Sequence, residues 1–116
     1  MKKVGLALVA LALPSAALAS VKIETQWGNR CNDNSYTMAV KGRNDKTYNA
    51  DIRLCMKSKN GRWTCWVSTN VKPGAWTPNN WNYYVCSATG DYFWSSRPSN
   101  RPSIKFDDPP GYKRGY

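Results

Sequence analysis

The chain has 116 residues, with 17 lysines and arginines against 7 aspartates and glutamates, and it has no histidine. The absence of histidine excludes Ser-His-Asp and Cys-His catalysis and imidazole metal ligands, and so removes most hydrolase and ribonuclease schemes. The formal net charge of +10 attracts anionic partners, although charge of this size also serves solubility alone.

Residues 1–19 have the pattern of a signal peptide. Lys2 and Lys3 precede an apolar run over 6–13, and small residues follow up to Ala19. The run is shorter than the roughly 20 apolar residues that span a bilayer. We therefore expect cleavage after Ala19, no membrane span, and a secreted or periplasmic protein. Removing 19 of the 116 residues leaves 97, and losing two lysines lowers the net charge from +10 to +8.

The mature chain has the composition of a β protein. Leu54 is its only leucine and Glu24 its only glutamate, whereas β-branched and aromatic residues are abundant. Alternation and turn residues predict six short strands over 21–27, 36–41, 47–57, 62–69, 81–86 and 92–94. The predicted fold is an all-β, six-strand antiparallel sandwich over residues 20–95. Four prolines interrupt residues 96–116, for which we predict an extended, mobile, basic C-terminal tail.

Asn60-Gly61 is a strong signal for a hairpin between the third and fourth strands. A two-residue type I′ turn places Met56 opposite Cys65 and separates apolar from charged side chains onto two faces. A three-residue loop with a bulge at Gly61 instead places Cys55 opposite Cys65, but it mixes charged and apolar residues on one face. We favour the first register, which disfavours a bond between Cys55 and Cys65.

Tyr84-Val85-Cys86 resembles the Tyr-x-Cys motif of an immunoglobulin-type strand. The resemblance implies a small immunoglobulin-like sandwich in which Cys86 points inward and meets Cys65, leaving Cys31 to pair with Cys55. If Trp81, Tyr83 and Val85 point inward instead, the pairs are Cys55 with Cys86 and Cys31 with Cys65. We favour the first pairing. In either case four cysteines in an exported chain predict two disulfides rather than a metal site.

Aromatic residues interleaved with cations suggest a binding surface. In the favoured register an exposed Trp66 lies among four cations, and we predict that this basic ribbon binds an anionic polymer, a glycan or an acidic protein surface. The ribbon comprises Arg53, Lys57, Lys59, Arg62 and Trp66. Trp66 covering a disulfide, with cations that only protect a hairpin edge, is the alternative interpretation.

Trp76 and Trp81 flank a Thr-Pro-Asn-Asn loop and predict an aromatic platform for a saccharide ring, unless they only close the core. An inhibitor or effector that binds another protein through this loop is the alternative function. The scattered carboxylates predict no catalytic pair, and no motif indicates a cofactor. We therefore expect a non-enzymatic, disulfide-stabilised binding module without cofactor or metal.

Overall fold

The computed structural model describes residues 20–112, so the predicted signal peptide and residues 113–116 of the predicted tail lie outside the described residues. Within the described range the chain forms strands and no helix, and therefore contains no helix that could cross a bilayer. The strands are β1 (Val21–Gly28), β2 (Thr37–Asn44), β3 (Ala50–Ser58), β4 (Trp63–Val71), β5 (Tyr84–Cys86) and β6 (Ala88–Pro98).

The strands form two three-stranded antiparallel sheets, which confirms the predicted β-sandwich. Sheet I has the order β1-β2-β5 and sheet II the order β4-β3-β6. The core between them is small and built mainly from the central strands. Its most buried large side chains are Met38 and Val40 from sheet I and Ile52, Leu54 and Met56 from sheet II.

Strand β6 is far longer than the three residues predicted for it. It spans 11 residues and pairs along most of β3, with Ser95 opposite Arg53 and Arg97 opposite Asp51. Pro98 ends it, as expected for a proline on an edge strand. The strand thus runs three residues into the segment assigned to the tail, while β5 is shorter than predicted.

The predicted register of the β3–β4 hairpin is wrong by one residue. Cys55 lies opposite Cys65, and the loop has three residues, since the Ser58 N–H donates to the Arg62 carbonyl. A type I′ turn needs positive φ at both central residues. Here Gly61 has φ +87° and Asn60 does not have a positive φ; the Asn60 side chain instead accepts a hydrogen bond from the Arg62 N–H.

The disulfides join Cys31 to Cys86 and Cys55 to Cys65, so two bonds are confirmed but both predicted pairings are wrong. Cys55 and Cys65 bond because the hairpin register sets them opposite each other. Cys86 is exposed and Val85 is the buried residue of β5, so Cys86 points outward, to the loop that carries Cys31. Two disulfides are typical of proteins that fold in an oxidising extracellular or periplasmic compartment.

The C-terminal segment after β6 packs across the outer face of sheet II. The Arg97 guanidinium donates to the Pro102 and Ile104 carbonyls, and it lies 4.4 Å from the centre of the Phe106 ring. Further along, the Trp63 indole N–H donates to the Pro110 carbonyl. The segment differs from the extended, mobile tail that was predicted: it contains hydrogen-bonded turns at 98–101, 101–104 and 109–112, and it is attached to the sheet through residue 112.

Candidate polyanion-binding surface

Arg53, the first residue of the predicted basic ribbon, is not a surface cation. It is 6% exposed on the outer face of β3, beneath the C-terminal segment. Its Nη1 donates to the Asp107 carbonyl and to Asp108 Oδ1, both at 2.7 Å, and its guanidinium lies 4.8 Å from the centre of the Tyr112 ring. Arg53 therefore holds the tail, and the prediction that it lies on an exposed basic ribbon is wrong.

The prediction that Trp66 is exposed on the charged face of the hairpin is also wrong, because the hairpin register differs by one residue. It lies opposite Leu54, on the core side of sheet II, and packs against the core. Its ring stacks on Tyr83, with ring centres 5.1 Å apart and planes within 9°. This pair closes one side of the sandwich, between the edges formed by β4 and the segment before β5.

Three cations of the predicted ribbon remain near the hairpin tip. Lys57 is half-buried, with Nζ 5.8 Å from the centre of the Trp63 ring, whereas Lys59 and Arg62 are exposed in and beside the loop. The latter two line a groove of about 690 Å³ between the hairpin tip and β5. Its other lining residues are neutral: Ser58, Asn60, Thr64, Tyr84, Val85, Cys86 and Ser87. The groove therefore has positive charge and hydrogen-bonding groups suited to an anion.

Trp76 and Trp81 do lie together, but the space between them is filled. Lys41, which projects from the outer face of β2, places Nζ 4.7 Å from the centre of the Trp76 ring and 4.5 Å from that of Trp81. Arg43, two residues along β2, lies 5.6 Å from the Trp76 ring. A cation over an indole face is attracted by the ring quadrupole. The two tryptophans thus hold a lysine, and no saccharide ring can stack between them.

A buried polar network positions this pair of tryptophans. Where β2 has no β5 partner, the Thr77 N–H donates to the Gly42 carbonyl, and the Gly42 N–H donates back to the Thr77 hydroxyl oxygen. Thr77 in turn donates to Asn79, whose amide reaches the Val40 carbonyl. The segment therefore follows β2 before it turns at Trp81, which has φ +68°. This left-handed backbone is uncommon for a bulky residue and persists only where its surroundings hold it.

Arg30 connects the tryptophan pair to the groove. Its guanidinium donates to the Trp81 carbonyl and to Gln26 Oε1, and it lies 4.9 Å from the centre of the Tyr84 ring. Because Tyr84 also lines the groove, these contacts form one continuous surface, which we call the cation–aromatic band. The band comprises Arg43, Trp76, Lys41, Trp81, Arg30 and Tyr84, followed by Lys59 and Arg62.

Two of the seven acidic side chains form ion pairs away from the band. Asp51 pairs with Arg97 and Asp108 with Arg53 on sheet II, and only Asp45 pairs with a band residue, Arg43. The Arg43 guanidinium lowers the pKa of Asp45 through their hydrogen bond. Glu24 lies opposite Lys41 across β1 and β2. Asp33, three residues after Arg30 in the same loop, accepts a hydrogen bond from the Ser35 N–H and is a third acid near the band. The positive charges at Arg30, Lys59 and Arg62 thus have no ion-pair partner among residues 20–112.

Four band residues were not predicted from the sequence: Arg30, Lys41, Arg43 and Tyr84. A signal for Lys41 was present, because alternation along 36–41 places it on the outer face of its strand. Its partners come from about 35 and 40 residues further along the chain, and the contact therefore depends on the fold. Arg30 lies in a loop, where no periodicity assigns a direction to its side chain.

Among residues 20–112 no cluster of histidine, cysteine, aspartate and glutamate has the composition of a metal site, and the four cysteines are all in disulfides. The carboxyl groups of Asp33, Asp45 and Asp51 have lowered pKa values, each because of hydrogen bonds that favour the ionised form. No known family model, curated protein or solved structure matches the chain.

Proposed function

We propose that the mature protein is exported and works in the periplasm or outside the cell as a non-enzymatic binding module for an anionic polymer or glycan. The observation that supports this most strongly is the cation–aromatic band. Its cations lie on one side of the molecule, three of them ordered by aromatic rings, while two of the seven acids, Asp51 and Asp108, pair on the other sheet. A field of one sign over an ordered surface attracts polyanions.

The arrangement of the rings favours recognition of charge over recognition of bases or neutral sugars. Lys41 already occupies the indole faces between Trp76 and Trp81, so those faces cannot stack on a partner. The rings instead hold Lys41 and Arg30 in fixed positions, which reduces the conformational entropy lost when an anion binds. Sulfate, phosphate or carboxylate groups spaced along a polymer suit such a row.

The test is the salt dependence of binding to heparin and to a double-stranded DNA oligomer. If about four cations contact the polymer, affinity should fall on the order of 100-fold between 50 and 200 mM salt. The double variant Lys59→Ala, Arg62→Ala should weaken binding and reduce the slope of log K against log salt by about 2. The matched control is Arg101→Ala, Lys105→Ala, which removes two exposed cations from the tail.

The control variant should keep the slope of the unmodified protein, because its cations lie beyond the outer face of sheet II, away from the band. Equal losses in both double variants would show that net charge alone attracts the polymer. Absence of binding at 50 mM salt would contradict the proposed function directly.

A further inference from the structure

Strand β1 is a long, regular edge of sheet I. It pairs with β2 at all eight positions without a register shift, and its other side has no strand partner among residues 20–112. It contains no proline, whereas β6 ends in Pro98 and the pairings of β3 with β4 and with β6 each contain a register shift. An unblocked edge of this length offers its free backbone groups to another strand.

The side chains of β1 form two rows. Ile23, Thr25 and Trp27 lie opposite residues of β2 that face the core, and Lys22, Glu24 and Gln26 lie on the outer face. The core-side row is incompletely covered, since Thr25 is exposed and Trp27 is 52% exposed. A β1 strand added at this edge would cover part of the Trp27 ring.

We propose that the occupant of this edge is β1 of a second copy, paired antiparallel about a two-fold axis through Thr25. In such a pairing, each residue of one copy lies opposite one residue of the other. Core-side residues lie opposite core-side residues only when the numbers of the two opposed residues sum to an even value. A sum of 50 gives seven opposed positions, with Thr25 opposite Thr25 and Ile23 opposite Trp27 of the second copy. An aromatic residue opposite a β-branched one is a stabilising cross-strand pair.

The neighbouring even registers are less favourable. A sum of 48 sets Glu24 opposite Glu24 of the second copy, and like charges at opposed positions destabilise a sheet. Sums of 46 and 52 each leave five opposed positions, and a sum of 46 leaves Trp27 unpaired. The sequence of β1 therefore selects the register centred on Thr25.

The dimer would join two sheets I into one sheet of order β5-β2-β1-β1-β2-β5. Both cation–aromatic bands would then lie on the same face, with the two β2 strands about 14 Å apart at ordinary strand spacing. Two bands on one face would make the dimer a bivalent surface for one polymer, and this functional role rests on the proposed function. The pairing of the two β1 strands does not depend on the proposed function.

Salt separates the two proposals. The copies are both strongly positive, so salt should strengthen the dimer by screening their repulsion, whereas it should weaken binding of a polyanion. Analytical ultracentrifugation of the oxidised mature protein, without polymer, should give a mass that rises to twice that of the monomer with concentration, and at lower concentration in 0.5 M than in 0.05 M salt. A monomer at every concentration in both buffers would overturn the pairing while leaving polymer binding untouched.

Two sets of variants test the register. Thr25→Lys sets like charges opposite each other and should raise the dimer dissociation constant about tenfold. Thr69→Lys, at an exposed threonine of edge strand β4, is the control and should leave it unchanged. On mild oxidation, Thr25→Cys should form a covalent dimer in higher yield than Gln26→Cys. An unchanged dimer in Thr25→Lys, or equal yields from the two cysteine variants, would overturn the register.

Discussion

The pair formed by Arg53 and Asp108 provides a sharp test of how the tail is held. The Arg53 side chain is 7% exposed and that of Asp108 37%. In Asp108→Asn the guanidinium stays buried, retains the Asp107 carbonyl and the Tyr112 ring, and loses its negative partner. In Arg53→Met the buried charge itself is removed, while the carboxylate of Asp108 remains accessible to water.

The two variants should therefore differ in stability. A hydrogen bond between charged groups contributes about 1.5–3 kcal/mol, and the exposure of Asp108 reduces that, so we expect Asp108→Asn to cost about 1–2 kcal/mol. Arg53→Met should lie within about 1 kcal/mol of the unmodified protein, since methionine removes the buried charge with its desolvation cost and the remaining Asp108 carboxylate is in contact with water.

Urea unfolding followed by tryptophan fluorescence measures both values. With an m-value of about 1–2 kcal/mol/M, the midpoint should fall by about 1 M in Asp108→Asn and by less in Arg53→Met. Equal m-values for the variants would show that the unfolding transition itself is unchanged. A larger loss in Arg53→Met than in Asp108→Asn would refute the reasoning, because Arg53 would then be a net source of stability and not a buried charge that Asp108 compensates.

Two further predictions concern the disulfides and acid pH. Loop-closure entropy predicts that Cys31→Ala with Cys86→Ala costs about 4 kcal/mol and Cys55→Ala with Cys65→Ala about 3 kcal/mol, because the bonds span 55 and 10 residues. Urea midpoints measure both costs. A cost below about 2 kcal/mol for removing the bond between Cys31 and Cys86 would contradict the loop-closure estimate. Burial opposes ionisation of Asp51, yet hydrogen bonds from Asn70, Ser99 and Arg97 outweigh it and lower its pKa. Its contribution to stability should therefore be complete above its unfolded pKa of 3.8 and be lost as the pH falls further. Urea midpoints between pH 6 and pH 2.5 should decline less in Asp51→Asn than in the unmodified protein, and parallel declines would contradict this.

The fold class could be predicted because its signals are local. Alternation along 21–27 follows from a strand with one buried face, and five of the six strands lie within about three residues of their predicted bounds. Strand β6 was underestimated because Ser95, Ser96 and Arg97 resemble a polar linker. Their place in the sheet comes from backbone pairing with β3, to which their side chains give no local clue.

The hairpin register could not be predicted because the residues that cover Arg53 and pair with it lie far along the chain. Burying Arg53 on the same face as Val67 would be costly if the guanidinium had no partner. The tail covers it and supplies an ion pair from Asp108, more than 50 residues along the chain. The wrong placement of Trp66 followed from the predicted register. The wrong disulfide pairs followed from that register together with the inward direction that the Tyr-x-Cys resemblance implied for Cys86. Lys59 and Arg62 remained in the candidate site because their positions in and beside the loop expose them in either register.

The central claim is that the cation–aromatic band is the surface that contacts an anionic polymer. The most direct measurement is a titration of the isotope-labelled mature protein with a heparin-derived oligosaccharide, followed by two-dimensional NMR. We expect the largest shifts at the indole N–H groups of Trp76 and Trp81 and at the amides of Arg30, Lys59 and Arg62. Shifts of equal size along residues 99–112, or shifts confined to them, would contradict the central claim.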